Sequence, residues 1–459
     1  MSQALFSSLP LPPALLTNLK TIGYQEMTAI QQQSLPLALD GKDLIAKAKT
    51  GSGKTAAFSI PMLTKIRQRF FGCQALVLCP TRELATQVAN EIRKLARYQQ
   101  NIKVVTLCGG QPIGPQIGSL AHGAHIVVGT PGRIQDHLRK RTLSLEKVST
   151  LVLDEADRML DMGFIDAIEN IIDHTPDYRQ TLLFSATYPK GIRQLSDRFQ
   201  NEPEEVTVES VHSHQHIAQS FYQADHHEKP EVLHKLLSHF QPASCVIFCN
   251  TRQVCKDVGI ELYDHGYKPL VLHGDLDQKE RDQMLVRFSN NSSNILIATD
   301  VAARGLDIDD LACVINYDLS RDPEVHVHRI GRTGRAGKEG LAFTLYTSKE
   351  HYKLERVAEI LQSELSESDP GHLPKPKTEA TKAPMVTLAI DGGRKHKVRP
   401  GDILGALTGD AGIAGDQVGK INVFDFVAYV AIKRESARRA LSRLEQGKIK
   451  GRKFKVRRL

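Results

Sequence analysis

Cys-x-x-Cys pairs are missing from this chain of 459 residues, although it has seven cysteines. Cys79, Cys245 and Cys249 lie within or at the ends of apolar, strand-like runs, so buried reduced thiols and a cytoplasmic protein are expected. No apolar run is long enough to span a bilayer. The start, Leu9-Pro-Leu-Pro-Pro-Ala-Leu-Leu, is broken by prolines and lacks a basic leader, which makes it a poor signal peptide. His212-x-His214-x-His216 lacks an accompanying cysteine or carboxylate set at metal spacing, so residues near 198–216 are expected to form an exposed hinge.

What is present points to several cores and a polyanionic partner. A hydrophobic content of 41% supports sizeable cores, and the length suggests about three domains. Charge is uneven. Residues 374–459 carry 20 Lys and Arg against 8 Asp and Glu, a net +12, whereas residues 1–373 carry −4. A basic excess confined to one end favours a polyanion.

The chemistry starts at Thr150-Leu-Val-Leu-Asp154-Glu155-Ala156-Asp157, where a buried strand runs into three carboxylates within four positions. At the carboxyl end of a parallel strand such a cluster needs a cation, and magnesium with its waters suits it. Upstream, Gly51-Ser52-Gly53-Lys54-Thr55 follows the apolar Leu44-Ile-Ala and precedes a helix-like run. That is the setting of a phosphate-binding loop. Backbone N–H groups turn inward on the phosphates, Lys54 adds positive charge, and Thr55 offers a hydroxyl to magnesium. With these two motifs in order, the chain resembles the DEAD-box helicases, named for Asp154-Glu155-Ala156-Asp157.

The resemblance implies two RecA-like parallel-sheet domains in tandem, and the pattern agrees: strand-like runs alternate with helical spacing between 43 and 187 and again between 245 and 345. Gly23-Tyr24-x-x-Met27-Thr28-x-Ile30-Gln31 is similar to the family's adenine-reading motif, with Met27 and Ala29 where prolines are common. It implies that Gln31 reads the N6 and N7 edge, Tyr24 stacks on the base, and Phe6 supplies the upstream aromatic of the same pocket. The resemblance further assigns Arg82, Gly110, Thr130 and Arg133 to the RNA backbone. Asp157, Ser185 and Thr187, together with His328, are implied to couple nucleotide state to strand separation.

The second half has strand and helix order but no phosphate loop of its own. Arg332 and Arg335, three apart and flanked by glycines, suit a planar fork over a γ-phosphate. Because Lys54, Asp154 and Glu155 lie in the first half, these arginines act only when the two domains close. Thr251, Arg252, Gln278, Arg281 and Thr299 match the family's second-domain RNA or coupling motifs, and Asp307 its nucleotide contact.

Residues 366–383 read as a Pro- and Lys-bearing linker. Beyond it a βαββαβ order resembles an RNA-recognition fold, but Val427 and Ile432 occupy two of the usual aromatic positions. Stacking across that sheet is therefore not expected. Arg438, Arg439, Arg443, Arg452, Lys453 and Lys455 are the candidate contacts to structured RNA.

The expected architecture is α/β. An ATP-binding domain spans 1–205, a second helicase domain 206–365, the linker 366–383 and a small α+β module 384–459. The whole resembles the DbpA-type branch of the family, which implies an ATP- and Mg2+-dependent RNA helicase. That branch implies a monomer without a membrane, anchored to 23S ribosomal RNA in large-subunit precursors. An ATP-gated RNA clamp or chaperone without productive unwinding carries the same motifs.

Overall fold

Why the two apolar series make sheets is visible in how alternate residues divide. In the computed structural model, Ala75, Val77 and Cys79 enter one hydrophobic cluster while Leu76 and Leu78 enter another, on the opposite face of the same strand. Helices cover both faces, as a parallel sheet requires. The structure describes residues 4–48, 51–188, 190–208, 217–303, 310–320, 322–334, 339–361, 363–376, 380–409 and 412–459. They divide into two compact units, one ending before 212 and the other containing everything described from 217 onward.

The first unit carries seven parallel strands: β1 (Leu44–Lys47), β2 (Ala75–Leu78), β3 (Val104–Leu107), β4 (Ile126–Gly129), β5 (Thr150–Asp154), β6 (Gln180–Ser185) and β7 (Glu204–Thr207). Their spatial order is β3-β4-β2-β5-β6-β1-β7. β7 falls in the stretch expected to be hinge. It is an edge strand with only Val206 buried, so its apolar signal is a single residue.

The second unit repeats the scheme with β8 (Ile217–Gln223), β9 (Cys245–Cys249), β10 (Leu270–Leu272), β11 (Ile295–Thr299), β12 (Cys313–Asn316), β13 (Gly340–Tyr346) and β14 (Glu367–Ser368), ordered β10-β11-β9-β12-β13-β8-β14. Here the linker reading needs revision. Glu367 and Ser368 pair in parallel with Phe221 and Tyr222, Glu367 bonds the Tyr346 hydroxyl, and Leu373 and Ala380 pack on the domain core. Backbone pairing overrides a composition rich in Pro and Lys.

The module that follows has β15 (Met385–Ile390), β16 (Val418–Val423), β17 (Ala428–Lys433) and β18 (Val456–Arg458) in one antiparallel sheet ordered β16-β17-β15-β18. Helices Pro400–Thr408 and Ala437–Gln446 fill one face, where Leu388, Ile390, Val430 and Ile432 are buried. The opposite face is closed by the second domain. Val286 of helix Gln278–Ser289 packs on Ala389 and Tyr429, Asn290 Nδ2 donates to Thr387 Oγ1 at 3.3 Å, and Met385 N–H donates to Asn291 O at 3.2 Å. The face that an RNA-recognition fold uses for bases is thus an internal surface. The aromatic on that face, Tyr429, is buried edge-on to Phe424 at 5.6 Å, and Ile432, expected at a stacking position, lies on the opposite, helix-covered face.

Candidate active site

The phosphate loop closes a left-handed turn that only glycine adopts without strain: φ is +82° at Gly51 and +94° at Gly53. Space dictates the second glycine as well. A Cβ on Gly53 would stand 2.5 Å from Gln31 Nε2 and 2.9 Å from Thr28 Oγ1. Gln31 accepts the Thr28 N–H at 2.9 Å and donates to Gly53 O at 3.0 Å, so the segment expected to read adenine is bonded to the loop. Ser52 follows Gly51, and Lys54 and Thr55 open helix Lys54–Lys65. Lys54 is 6% exposed, and its Nζ has no hydrogen-bond partner among the described residues. A buried, unpartnered ammonium at the start of a helix is an anion site waiting for charge.

Phe6 and Tyr24 meet edge-on at 5.9 Å. Tyr24 Oη donates to Glu91 Oε1 at 2.9 Å, and burial together with that carboxylate raises its phenol well above the ordinary range. Phe6 is buried, so it braces Tyr24. Met27, where proline was noted as common, is buried too, and its N–H donates to Ala4 O at 2.9 Å.

Next to the loop, β5 delivers the carboxylates. Asp154 is 2% exposed with Oδ1 unpartnered among the described residues, and burial pushes its carboxyl up to about 6, with Lys54 opposing and Glu155 adding to the rise. Glu155 caps helix Ala156–Asp161 at φ +53°, a left-handed backbone rare outside glycine, and pairs with Arg158 Nε at 3.3 Å. Asp157 is held charged. Burial opposes its ionisation, but Lys54 and the Thr187 N–H and Oγ1–H, each at 3.0 Å from Oδ2, bring its carboxyl below the usual range. Ser185 Oγ donates to Thr187 O at 2.6 Å and accepts the Asp157 N–H at 3.3 Å. Ser185, Thr187 and Asp157 therefore form one bonded unit at the ends of β5 and β6.

The raised carboxyl of Asp154 has a consequence for stability. Its folded value of about 6 lies above the 3.8 of an ordinary aspartate, so the stability it permits is full below the unfolded value and is lost as pH rises through 6. Asp154→Asn should stabilise the nucleotide-free protein by up to ~3 kcal/mol near pH 8 and by about half that near pH 5. Urea melts at the two pH values check this. A gain independent of pH would mean the carboxyl is not perturbed.

Three loops at the carboxyl ends of the neighbouring strands β2, β3 and β4 carry the expected RNA contacts. Thr81 caps helix Arg82–Leu95, placing Arg82 at its first turn. Gly110 has φ +72°. Thr130 precedes helix Pro131–Arg139, and Arg133 donates from Nη2 to Gln111 O at 2.9 Å while Nε and Nη1 have no hydrogen-bond partner among the described residues. Helix N-termini and cationic groups on one sheet end suit successive phosphates.

The second unit repeats this at β9, β10 and β11. Thr251 caps helix Arg252–Asp264, and Arg252 pairs with Asp275. Gln278 Nε2 donates to Asp282 at 2.8 Å, Arg281 Nη2 to Ala302 O at 2.6 Å, and Thr299 Oγ1 accepts the Ala302 N–H at 3.3 Å. His328 lies in the last turn of helix Pro323–Ile330 and Arg332 in the turn after it. Arg335, Asp307 and the histidines at 212, 214 and 216 lie outside the described residues.

Sequence reasoning missed Arg329, between His328 and Arg332. It is 2% exposed. Its guanidinium donates to both oxygens of Asp300 at 2.7 Å, to Asp318 O at 2.7 Å and to Asn250 Oδ1 at 3.0 Å, with Phe248 5.2 Å beneath it. It locks the segment that presents Arg332. Its place inside an arginine-rich run was the available signal, but burial was not legible there. In the module, Arg439 and Arg443 donate to Gly412 O at 2.6 Å and Ala406 O at 2.7 Å, and Arg438, Arg439, Arg452, Lys453 and Lys455 are exposed.

Known proteins carry the same parts in the same order. Residues 28–195 match the DEAD/DEAH box helicase family, 228–337 the helicase conserved C-terminal domain and 387–458 the DbpA RNA binding domain. The chain is 53% identical to the ATP-dependent RNA helicase DbpA of Escherichia coli (strain K12), covering 97% of both chains. It is 37% identical to the ATP-dependent RNA helicase DbpA of Bacillus subtilis (strain 168), covering 96% of both. Among solved structures, S. cerevisiae Dbp5 bound to RNA and ADP BeF3 superposes with a TM-score of 0.73 at 31% identity, over 80% of this chain and 96% of that one. With the phosphate loop, the carboxylate strand and the basic module all accounted for, the chain belongs to the DEAD-box ATP-dependent RNA helicases, in their DbpA-type branch.

Proposed function

We propose that the protein locally unwinds short RNA duplexes and is targeted by its basic module to 23S ribosomal RNA during large-subunit assembly in the cytoplasm, acting as a monomer. The observation that carries the ATP-driven part is the pairing of two orphans in one buried site, Lys54 Nζ and Asp154 Oδ1. An unpartnered cation and an unpartnered carboxylate oxygen side by side suit a phosphate and its metal. Thr55 and Asp154 would hold Mg2+, with Glu155 reaching it through water. The ion neutralises phosphate charge when bound.

The chain's own residues do the rest. Gln31 and Tyr24 seat the adenine, the loop N–H groups and Lys54 hold the phosphates, and Glu155 takes the proton of the attacking water. Domain closure brings Arg332 and Arg335 to the developing charge, and Asp307 to the nucleotide. Arg82, Thr130 and Arg133 with Arg252, Gln278 and Arg281 then bend one RNA strand so that a short duplex loses pairing. Hydrolysis reopens the cleft.

The test is a panel of RNAs on the full chain, read by steady-state ATPase and by strand displacement. Large-subunit ribosomal RNA fragments should activate at concentrations at least about tenfold below those of unrelated RNA. Charge reversal at Arg438 and Lys453 should erase that preference and leave the general RNA-stimulated rate. Stimulated hydrolysis without displacement would instead identify an ATP-gated clamp, and equal activation by every RNA would remove the ribosomal assignment.

A further inference from the structure

The sheet face of the C-terminal module is lost to RNA, because Thr387, Ala389 and Tyr429 are at most 1% exposed beneath helix Gln278–Ser289. Aromatic surface nevertheless emerges at the end of that sheet. Phe426, in the turn joining β16 to β17, is 66% exposed, more than any other phenylalanine among the described residues. A single exposed ring is ordinary, so what matters is whether its surroundings hold it in place and what they add to it.

The ring does not stand alone. His396 lies edge-on to Phe426 at 6.2 Å and to Phe454 at 5.8 Å, so three rings from three separate loops meet. Two glycines make this possible. A Cβ on Gly392 would come within 2.5 Å of the Phe454 ring, and one on Gly393 within 2.2 Å of Phe424 O. The loops are bonded together: Arg394 and Lys395 N–H groups donate to Phe424 O and Asp425 O at 2.9 Å, and His396 Nδ1 accepts the Gly393 N–H at 3.2 Å. The arrangement is preorganised rather than a loose tip.

Charge selects the partner. Exposed Arg394, Lys395 and Lys397 flank His396, while exposed Lys453 and Lys455 flank Phe454. Of the acidic groups nearby, Asp391 is spent on Arg457 at 2.7 Å, leaving Asp425. A flat apolar face inside a cationic rim suits a ligand that is itself flat, apolar and attached to an anionic backbone. An acidic peptide would satisfy the rim but not the ring.

We propose that Phe426, seated against His396, which Phe454 braces in turn, is a stacking seat for an unpaired RNA base, displaced from the face of the sheet to its end. This rests on the reading that the module anchors RNA. It adds the feature recognised, which is a base extruded from a loop or bulge rather than a continuous duplex. Basic side chains on either side hold the phosphates of that nucleotide and its neighbours.

The experiment compares the full chain with Phe426→Ala and Phe426→Trp, without nucleotide, on two probes. One is an RNA stem capped by a mixed-sequence loop carrying 2-aminopurine. The other is a blunt duplex of equal charge. Phe426→Ala should weaken binding to the looped RNA about tenfold and leave the blunt duplex unchanged. Quenching of 2-aminopurine should be present with the native protein, lost with Phe426→Ala and kept with Phe426→Trp. Equal weakening on both probes, no weakening on either, or quenching indifferent to Phe426 would each overturn the proposal. Its failure is separable from failure of the ribosomal assignment. If ribosomal fragments activate no better than other RNA, the difference between looped and blunt probes still stands, and the converse also holds.

Discussion

Replacing Glu155 with Gln is expected to leave ATP bound and to slow its hydrolysis by about 10²- to 10⁴-fold, the range for loss of a positioned general base. The substitution keeps the volume of a side chain that is only 4% exposed and retains an oxygen that can orient water. It removes the ability to take a proton. It also removes a negative charge next to Asp154, whose carboxyl Glu155 helps to raise, so Asp154 becomes a better anion and binding should not suffer. The left-handed backbone at Glu155 is set by the turn from β5 into helix Ala156–Asp161 and is no harder for Gln than for Glu. Equilibrium binding of a fluorescent ATP analogue with RNA present, alongside single-turnover hydrolysis, separates the two effects. Hydrolysis within a few fold of the native rate would place the activating group elsewhere.

How much of this was legible beforehand follows from what sequence patterns encode. Central strands were plain because residues such as Leu76, Val77 and Leu78 are apolar on both faces, which reads as a continuous run. Edge strands were not. β7 buries one residue and β14 has two in all, so neither offers a period to detect. Site residues grouped by motif, Gly51 to Thr55 and Asp154 to Asp157, could be read because the chemistry needs them adjacent. The bond from Thr187 to Asp157 could also be anticipated from two hydroxyls at a strand end. Partners distant in sequence could not. Nothing local says that Arg329 will be buried against Asp300, Asn250 and Phe248, or that Val286 will cover the far face of a sheet a hundred residues later. Val427 did carry that message in negative form, since a sheet face covered by protein has no use for rings that stack on bases, whereas Ile432 lies on the opposite face under the module's own helices.

Arg332→Lys should cost about 10³-fold or more in RNA-stimulated turnover, the scale of an arginine finger, with little change in the affinity for RNA or ATP. The expectation depends on shape rather than charge. A lysine keeps the cation but loses the planar fork that can hold two oxygens of a γ-phosphate as charge spreads over them. Support for Arg332 in that role comes from how firmly its surroundings are built. Its carbonyl accepts the Leu311 N–H at 3.1 Å, and the helix before it is pinned by Arg329 through both oxygens of Asp300. A side chain launched from so rigid a base has little entropy left to lose when it meets its target. The comparison that isolates the effect is Arg329→Lys. Breaking that buried network should lower the melting temperature of the second domain, whereas Arg332→Lys should leave it unchanged. Pre-steady-state kinetics then decide the role. If Arg332→Lys slows phosphate release or weakens nucleotide binding while the hydrolysis step keeps its native rate, Arg332 senses the nucleotide without stabilising the transition state, and the split catalytic site loses its cationic half.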